Sequence, residues 1–521
     1  MSADGVTPRP LRGVGVSLAE LAQEFGWSGG APPAVAVTGI TGSSRSVMRG
    51  DIFFALPGAR FHGADHAVQA VAAGAVAIVT DTPGGTKIRD SPVPVVISAD
   101  PRGDLGRAAA RIYNTDDADL TIFGVTGTNG KTTVAYLLDA LLRQLGVTTG
   151  LSSTSARVIA GNAQSAGLTT PEADELHALL AIMRDASVSH AVLEVSAHAL
   201  TRQRIAGVHC HVVGFTNFSH DHLDDYESME EYFKAKCSLF IPERAARSVV
   251  CVDDAWGRRL AATAEIPVVT VASDSTGDAV EADWRVSVVE SAAESTTFSL
   301  VSPNGESLEA IVPLVGDFSA TNAAIAIAML VESGIALPQI RDALGATKRI
   351  DVFVPGRTEV VSGDSGPTFY VDYSHTPEAF ARTLAALRKV TTGRLTMVFG
   401  ADGDRDTTKR EEMGRIAAVG ADVVVITDFH PRTEDPKKIR SALMSGAVSA
   451  ASQADIHEIP DQREAVRFAL EGAQQGDTIL YAGPGHEDYQ EVNGLKIPYD
   501  AREDVRQALR EAGWPPRKKI S

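Results

Sequence analysis

The sequence has few of the features that a secreted or membrane protein needs. Its only cysteines, Cys210, Cys237 and Cys251, are odd in number and lack metal-ligand spacing, so they predict reduced thiols. No apolar run is long enough to span a bilayer, and the N-terminus, residues 1–5, lacks the basic and apolar regions of a signal peptide. These shortages predict a cytoplasmic protein without a membrane span.

Positive charge is also in short supply. The chain has 48 lysines and arginines against 66 acidic residues, a formal net charge of −18. This balance argues against a general nucleic-acid binder, because contact with phosphate backbones needs a basic face. At 521 residues the chain is too long for a single core, and we expect three domains.

The most informative stretch joins an apolar strand at Thr121–Val125 to a helix that begins near Lys131. Its glycines, lysine and threonines predict a binding site for a nucleoside triphosphate. The backbone N–H groups of such a loop and the N-terminus of the following helix can surround a phosphate anion. The strict phosphate-loop pattern asks for glycine where the chain has Val125. The alternative is a glycine-rich turn that only caps the helix. The predicted ATP-binding residues here are Gly127, Thr128, Asn129, Gly130, Lys131, Thr132 and Thr133.

Two later segments predict polar groups at one end of the same sheet. The run Ala191–His198 reads as a strand whose period of two places Glu194, Ser196 and His198 on one side. The alternative for this run is a solvated antiparallel edge strand. A second strand, His211–Thr216, leads into the acidic and histidine-rich residues 217–225, and a helix carrying Lys236 follows from about Ser228. Such a cluster suits a divalent cation that holds phosphate oxygens, although a solvated loop is the alternative.

A second strand and helix series begins near Pro355. Strands at Phe369–Asp372, Leu395–Phe399, Asp422–Ile426 and Thr478–Ala482 alternate with helices, which predicts a doubly wound sheet. Polar residues follow each strand, where folds of this kind bind ligands. The fold class is therefore α/β with three domains: a small N-terminal α/β domain (1–115), a central phosphate-loop parallel sheet (116–354) and a C-terminal Rossmann-like domain (355–521).

Taken together, the motifs resemble the Mur ligase family over nearly the whole chain. They stand in the order and approximate spacing of that family: Gly127–Thr133, Glu194–His198, Asn322, Pro355–Arg357, Asp372–His375 and Gly403–Asp406. The resemblance implies an ATP-dependent, ADP-forming amide ligase of peptidoglycan precursor synthesis, with Mg²⁺ as cofactor. Its implied partners are ATP, a UDP-muramoyl-dipeptide and a diamino acid. The expected diamino acid is meso-diaminopimelate. We expect it to act as a monomer.

The resemblance also implies roles for individual residues. The catalytic group comprises Lys131, Glu194, His222 and Lys236, and the metal ligands are Thr132, Glu194, His222 and a carbamylated Lys236. Asn322, Arg357 and Asp372 match positions around adenine and ribose. The UDP-substrate contacts are Ser44, Thr169, Thr170, Ser196 and Arg204. The pocket for the incoming amino acid comprises Arg405, His430, Arg432, Gly483 and Glu487.

The amino-acid signature departs from the family pattern. The usual Asp-Asn-Pro-Arg falls on Phe429–Arg432, so Phe429 and His430 replace two polar residues while Arg432 is kept. Pro484 also replaces a lysine, and Ser43 replaces an aspartate beside Ser44. The alternatives are therefore ligation of L-lysine or a shorter diamino acid, a folylpolyglutamate synthetase-like ligase, or a nucleotide-binding module without ligase activity. Arg432 has its own alternative, which is to brace its loop by pairing with Glu434 or Asp435.

Overall fold

The computed structural model describes residues 9–10, 15–29, 35–58, 61–116, 119–221, 225–274 and 280–518. Within these ranges three larger sheets, each covered by helices, form what we call the N-terminal, middle and C-terminal units. This architecture confirms the predicted α/β class. No helix among the described residues is both long enough and apolar enough to cross a membrane.

The N-terminal unit is a small α/β layer. Its elements are β1 (Val16–Ser17), α1 (Leu18–Phe25), β2 (Ala36–Val37), β3 (Gly39–Thr41), β4 (Asp51–Ala55), α2 (Ala67–Ala73), β5 (Ala77–Thr80), α3 (Thr82–Lys87), β6 (Val95–Ile97) and α4 (Pro101–Tyr113). Strands β3 to β6 pair in chain order, all parallel, while β1 and β2 form a separate antiparallel pair. Helix α4 ends where Asn114 takes a left-handed conformation (φ 51°), which turns the chain toward the middle unit.

The middle unit contains the predicted phosphate-loop strand. Its elements are β7 (Thr121–Thr126), α5 (Lys131–Gln144), β8 (Thr149–Ser152), β9 (Arg157–Ile159), β10 (Asn162–Gln164), α6 (Ala173–Asp185), β11 (His190–Glu194), α7 (Ala197–Thr201), β12 (Cys210–Phe215), α8 (Met229–Cys237), β13 (Ala245–Cys251), α9 (Ala255–Thr263), β14 (Val268–Ser273), β15 (Trp284–Ala292), β16 (Ser295–Val301), β17 (Ser307–Val312), α10 (Asp317–Glu332) and α11 (Leu337–Leu344). Helices α5 and α10 pack on one face of the sheet, and α6 and α8 pack on the other.

The sheet of the middle unit is parallel at its centre and antiparallel at both ends. The strand order is β10-β9-β8-β11-β7-β12-β13-β14-β15-β16-β17, and every pairing from β8 to β15 is parallel. Strand β7 therefore lies between β11 and β12 with helices on both faces, which explains why it is apolar along most of its length. The sequence of this unit also predicts a single strand over Trp284–Val301, and this prediction is wrong, because a turn at Ala293–Glu294 splits the segment into the antiparallel pair β15 and β16.

The C-terminal unit is the predicted doubly wound sheet. Its elements are β18 (Glu359–Val360), β19 (Thr368–Asp372), α12 (Pro377–Val390), β20 (Leu395–Phe399), α13 (Arg410–Gly420), β21 (Val423–Ile426), α14 (Pro436–Ser449), β22 (Asp455–Glu458), α15 (Gln462–Leu470), β23 (Thr478–Ala482), β24 (Tyr489–Val492), β25 (Leu495–Pro498) and α16 (Ala501–Glu511). The strand order is β18-β19-β23-β20-β21-β22, parallel except for β18. All four predicted strands are present.

The C-terminal unit contacts the turn between β15 and β16 of the middle unit. The hydroxyl of Tyr370 donates a hydrogen bond to the Ala293 carbonyl at 2.6 Å. Arg517 forms a two-pronged ion pair with Glu294, at 2.6 and 2.7 Å. These contacts join the two units at the carboxyl end of β15, and because β15 runs parallel to β7 this is the edge of the sheet at which the phosphate loop lies.

Candidate active site

The site is built at the carboxyl ends of three adjacent strands. The parallel register pairs Glu194 of β11 with Val125 of β7, and Phe215 of β12 with Thr126 of β7. Because neighbouring parallel strands end at the same edge, the residues that follow them converge there. The loop after β7 is the predicted phosphate loop, and α5 begins at Lys131 as predicted.

Two glycines give the phosphate loop its shape. Gly127 and Gly130 have φ of 145° and 85°, which side chains rarely adopt. A β-carbon on Gly127 would lie 1.9 Å from the Thr216 hydroxyl, and one on Gly130 would lie 2.7 Å from the Asn322 side chain. The loop is also held by Asn217, whose carbonyl accepts from Thr128 N–H at 2.9 Å and whose side chain accepts from Asn129 N–H at 3.0 Å. The loop is therefore pressed against the end of β12 and against α10.

Glu194 is a buried carboxylate surrounded by neutral donors. One of its oxygens accepts from the Thr132 hydroxyl at 3.0 Å and from the Thr154 amide at 2.9 Å. Its other oxygen accepts from the Thr154 hydroxyl at 3.0 Å. Within the described residues no lysine or arginine forms an ion pair with Glu194. A buried carboxylate whose direct hydrogen-bond donors are neutral fits a site for a hard divalent cation, and the Thr132 hydroxyl offers a further oxygen beside it.

Two lysines lie beside this carboxylate and donate to the loop itself. Lys131 Nζ donates to the Thr128 carbonyl at 2.8 Å, and Lys236 Nζ donates to the Gly127 carbonyl at 2.7 Å. Burial lowers the pKa of Lys131, and burial together with the charge of Lys131 lowers the pKa of Lys236 well below its usual value. Lys236 also lies 4.5 Å above the ring of Tyr232. A buried lysine of depressed pKa holds a larger share of neutral amine, the form that reacts with electrophiles.

The predicted metal ligands are only partly described. His222 lies outside the described residues, whereas Thr132, Glu194 and Lys236 meet around the phosphate loop. Across the described ranges no group of three or more histidine, cysteine, aspartate or glutamate side chains forms a metal site. The ligand set that we expect differs from such a group, because it includes a threonine hydroxyl and a modified lysine.

One prediction about the polar strand is wrong in its geometry. Strand β11 ends at Glu194, and Ser196 is the N-cap of α7, where its side chain accepts from Ala199 N–H. His198 lies within that helix and contacts Asp225 at 2.8 Å. The period of two therefore stops at Glu194, because serine favours an N-cap over continued strand. The three side chains still line one cleft, from a strand end and a short helix.

That cleft, of about 560 Å³, lies between the middle and C-terminal units. The predicted site residues that line it are Thr128, Asn129, Gly130, Lys131, Thr132, Thr133, Glu194, Asn322, Arg357, Asp372, Thr169, Ser196, Arg204 and Arg405. Arg357 enters from the C-terminal side, donating to the Thr132 hydroxyl at 3.1 Å and lying 4.3 Å above the Tyr373 ring. Asp372 is held by the backbone amides of Thr358 and Ser374, at 2.6 and 2.9 Å.

The predicted UDP-substrate residues fall in two places. Thr170 donates to the Glu194 backbone carbonyl at 2.8 Å and accepts from Ser196 N–H at 3.1 Å, so Thr170 links the end of β11 to the start of α7. The hydroxyls of Thr169 and Thr154 lie 3.0 Å apart, and Arg204 pairs with Glu172 at 2.8 Å. Ser44 does not join them, because it lies in the N-terminal unit and donates to Gln69 at 3.1 Å.

Most of the predicted amino-acid pocket lies apart from the cleft lining. The Nε2 atom of His430 is 2.7 Å from a Glu487 carboxylate oxygen, and its Nδ1 accepts from Glu491 N–H at 2.8 Å. Arg432 faces Asp402 at 3.3 Å and Glu491 at 3.7 Å. Its predicted alternative partners, Glu434 and Asp435, are not used: Glu434 pairs with Arg410 at 2.7 Å, and Asp435 is the N-cap of α14.

The segment after β19 connects the predicted amino-acid pocket to the cleft. Gly483 N–H donates to the Asp372 carbonyl at 2.9 Å, and the Tyr373 hydroxyl lies 3.4 Å from Glu487. The sequence analysis did not identify Thr154 or Glu491, although both contact predicted site residues. Thr154 could have been found from the polar run at 152–155 after an apolar strand, whereas Glu491 gave no local signal.

Comparison with known proteins decides the family. The model for the Mur ligase family catalytic domain matches residues 36–115, that for the Mur ligase middle domain matches 125–330, and that for the glutamate ligase domain matches 356–485. The chain belongs to the Mur ligase family. Members of the Mur ligase family are ATP-dependent, ADP-forming amide ligases.

Relatives within the Mur ligase family cover almost the entire chain. It is 55% identical to a UDP-N-acetylmuramyl-tripeptide synthetase of Leifsonia xyli, over 97% of this chain and 98% of the relative. It is 42% identical to a UDP-N-acetylmuramoyl-L-alanyl-D-glutamate–2,6-diaminopimelate ligase of Streptomyces coelicolor, again over 97% and 98%. A solved structure of a ligase with the latter name matches with a TM-score of 0.67 and 30% identity, over 96% of this chain and 100% of that one.

The folylpolyglutamate synthase likeness is limited to the fold. A bifunctional folylpolyglutamate synthase/dihydrofolate synthase from Yersinia pestis matches with a TM-score of 0.56 at 20% identity. That match covers 78% of this chain, against 96% for the diaminopimelate ligase structure. The comparisons therefore favour a Mur ligase over the folylpolyglutamate synthetase-like alternative.

The geometry of Gly127 leads to a first prediction. Gly127→Ala should weaken ATP binding about tenfold or more, because the new β-carbon would displace Thr216 and reshape the phosphate loop. Gly146→Ala is the matched control, since Gly146 also has a positive φ, of 78°, but has no atom within 4 Å of the added carbon. Both variants should lose about 1 kcal/mol of stability from the left-handed conformation alone. Calorimetric titration with ATP and thermal denaturation measure the two effects, and equal ATP affinity in both variants would contradict the prediction.

Proposed function

We propose that this protein is an ATP-dependent, ADP-forming ligase that joins meso-diaminopimelate to UDP-N-acetylmuramoyl-L-alanyl-D-glutamate in peptidoglycan precursor synthesis. The observation that supports it most directly is the cleft, where the phosphate loop and Glu194 face Arg357 and Asp372 across two units. Relatives named for this reaction match along nearly the whole chain. ATP is a co-substrate in this proposal, and Mg²⁺ is the cofactor.

In this proposal each of the three units binds mainly one of the three substrates. We assign the uridine nucleotide to the N-terminal unit through Ser44, and the peptide end of that substrate to Thr169, Thr170, Ser196 and Arg204. The phosphate loop residues with Asn322, Arg357 and Asp372 take ATP. Arg405, His430, Arg432, Gly483 and Glu487 take the incoming amino acid. This division places the acceptor carboxylate and the attacking amine on opposite sides of the cleft.

The chemistry follows from the poor reactivity of a carboxylate. The terminal carboxylate of the dipeptide attacks the γ-phosphorus of ATP, ADP leaves, and an acyl phosphate forms. The neutral amine of the diamino acid then attacks the acyl carbon, a tetrahedral intermediate forms, and inorganic phosphate leaves as the amide is made. Lys131 neutralises negative charge on the phosphoryl group during transfer. Enclosure between the units keeps water from the acyl phosphate.

Mg²⁺ fits the residues that surround Glu194. Thr132 and Glu194 would hold it, together with His222 and a carbamate on Lys236. When bound, Mg²⁺ supplies positive charge to the phosphate oxygens of ATP. The chain's own contribution is to orient the Glu194 carboxylate through hydrogen bonds from Thr132 and Thr154.

Carbamylation suits the surroundings of Lys236. Its neutral amine attacks CO₂, a C–N bond forms and one proton is released, which converts a potential cation into an anion with two oxygen ligands. A lysine ammonium beside a divalent cation would repel it, whereas a carbamate attracts it. The depressed pKa of Lys236 favours the amine that this reaction needs.

The choice of meso-diaminopimelate depends on Arg432. A second carboxylate at the far end distinguishes this amino acid from lysine, and an arginine fork can pair with it bidentately. The contacts of Arg432 with Asp402 and Glu491, at 3.3 and 3.7 Å, are longer than the roughly 2.7–2.9 Å of a strong charge-assisted hydrogen bond. A ligand carboxylate can therefore compete for the guanidinium, while Glu487 and Glu491 favour an ammonium nearby.

We further propose that the ligase acts as a monomer in the cytoplasm. The residues that line the cleft on its middle and C-terminal sides belong to one chain, which is consistent with a monomer. The three cysteines are free thiols, two of them buried, which is consistent with a reducing compartment.

The proposed function and its amino-acid choice are tested by one ligation assay. Purified protein with ATP, Mg²⁺ and the UDP-dipeptide should form ADP and phosphate only when a diamino acid is added. meso-Diaminopimelate should be preferred over lysine by roughly a thousandfold or more, because lysine leaves Arg432 facing an ammonium. Absence of any ligation product with the whole amino-acid panel would contradict the ligase assignment, and efficient use of lysine would contradict the choice of amino acid.

Arg432→Ala should remove most of the preference for meso-diaminopimelate in that assay. Arg415→Ala is the control, because Arg415 is an exposed arginine of the same unit that pairs only with Glu412 on its own helix among the described residues. The ratio of kcat/KM for the two amino acids is the measurement. An unchanged ratio in Arg432→Ala would show that the far carboxylate is recognised elsewhere.

Lys131→Ala should abolish ligation while leaving binding of the UDP-substrate intact, because phosphate charge is handled in the middle unit and uridine in the N-terminal unit. Ligation is followed by ADP release, and UDP-substrate binding by calorimetric titration. Loss of both in a variant that remains folded would argue against this division between units.

Lys236→Ala should lose activity and regain part of it when short carboxylic acids are added, since these supply the missing carboxylate oxygens. Lys234→Ala is the matched control on the same helix, where Lys234 is 73% exposed and contacts Glu230 at 4.0 Å. Mass spectrometry of the intact wild type under CO₂ should show the added carbamate. Full activity of Lys236→Ala without added acid would rule out the role.

A further inference from the structure

A buried ion pair joins the middle and C-terminal units beside the phosphate loop. The Nζ atom of Lys409 lies 3.1 Å from a carboxylate oxygen of Asp221, and the two residues are 9% and 5% exposed. Asp221 follows β12 in the middle unit, and Lys409 immediately precedes α13 in the C-terminal unit. The pair is separated by 188 positions in the sequence, so it forms only when the two units meet.

A second contact between the same two units lies beside the Lys409–Asp221 pair. The Nε2 atom of His220 lies 3.0 Å from Asp406, whose other carboxylate oxygen accepts from the amide and hydroxyl of Thr408. Two consecutive residues of the middle unit thus engage two residues of one turn in the C-terminal unit. This arrangement sets orientation as well as distance, because a rotation of the C-terminal unit would break at least one contact.

Asp221 also faces the catalytic side of the interface. It lines the cleft and lies 3.8 Å from His375, which follows β19 of the C-terminal unit. The Asp221 carboxylate therefore contacts both Lys409 and His375 of the C-terminal unit at the edge of the cleft.

We propose that Lys409 and Asp221 are positioning residues that lock the C-terminal unit onto the phosphate loop, so that the incoming amine meets the activated carboxylate. The role rests on the proposed ligase function. A buried pair is suited to it, because any displaced arrangement leaves one charge without its partner in a poorly solvated interface. Exposed pairs lack this property, since water replaces the partner at little cost.

The chain supplies a matched exposed pair between the same units. Lys389 at the end of α12 lies 2.6 Å from Asp317 at the start of α10, with side-chain exposures of 54% and 25%. Lys389→Met and Lys409→Met therefore remove the same charge from the same unit and differ in burial. Comparison of the two separates a locking role from a general loss of interdomain attraction.

The first test is kinetic. Lys409→Met should lower kcat/KM for the incoming amino acid about tenfold or more, while binding of ATP and of the UDP-substrate, measured without turnover, stays at the wild-type level. Lys389→Met should behave as the wild type in all three measurements. Lys409→Arg, which keeps the charge, should recover part of the loss.

The second test is structural and does not depend on ligation. Small-angle scattering of Lys409→Met should show a larger radius of gyration than that of the wild type, whereas Lys389→Met should not change it. If the wild type proves inactive as a ligase but scattering still separates the two variants, the proposed function fails and the lock stands. Identical scattering and kinetics for Lys409→Met and Lys389→Met would overturn the proposal.

A double-mutant cycle checks that the two residues act as a pair. Asp221→Asn combined with Lys409→Met should lose less than the product of the two single losses, because their shared interaction is removed only once. If the loss of the double variant equals the product of the two single losses, the two residues do not act as a pair and the proposal is overturned. Thermal denaturation accompanies each variant, and if Lys409→Met does not fold, the same cycle is run with Lys409→Gln.

Discussion

Burial of charge at the carboxyl edge of the middle sheet is the constraint on which this site depends. Glu194 and Lys236 are buried and Lys131 is partly buried, and burial lowers the pKa of both lysines. The fold compensates with groups that it must supply from several elements, among them the hydroxyls of Thr132 and Thr154 and the carbonyls of the phosphate loop. A site of this kind stabilises the highly charged phosphates of ATP more strongly than water could, because its donors are held in place before the ligand arrives.

The architecture also explains why three units are needed. Parallel strands bring loops together at one edge, so each sheet offers a single ligand-binding end. A reaction that joins a nucleotide-linked peptide to an amino acid at the expense of ATP must bind three substrates, which requires more surface than one such edge provides. The cleft between the middle and C-terminal units meets this need by facing two edges toward each other, with Arg357 reaching from one to the Thr132 hydroxyl of the other. Orientation of the units is therefore part of the chemistry.

Local patterns account for what the sequence predicted well. The strand, turn and helix around Gly127–Lys131 follow from glycine freedom, helix capping and apolar periodicity, all of which act over a few residues. The same reasoning failed at Ser196, because the alternation of polar residues continued past the end of β11 while the serine capped a helix. It also missed the turn at Ala293–Glu294, where an apolar run contains two strands. Periodicity reports the type of an element more reliably than its end.

By itself the sequence determined the α/β class, the phosphate loop and the set of polar residues that follow each strand, because these depend on composition and on neighbours along the chain. Only the tertiary structure decided which of those residues meet. Thr154 reaches Glu194 across 40 positions, Lys409 reaches Asp221 across 188, and Arg432 faces Asp402 and Glu491 instead of the neighbours Glu434 and Asp435. Such contacts depend on how sheets and units pack, and packing is a property of the whole chain that no local pattern encodes.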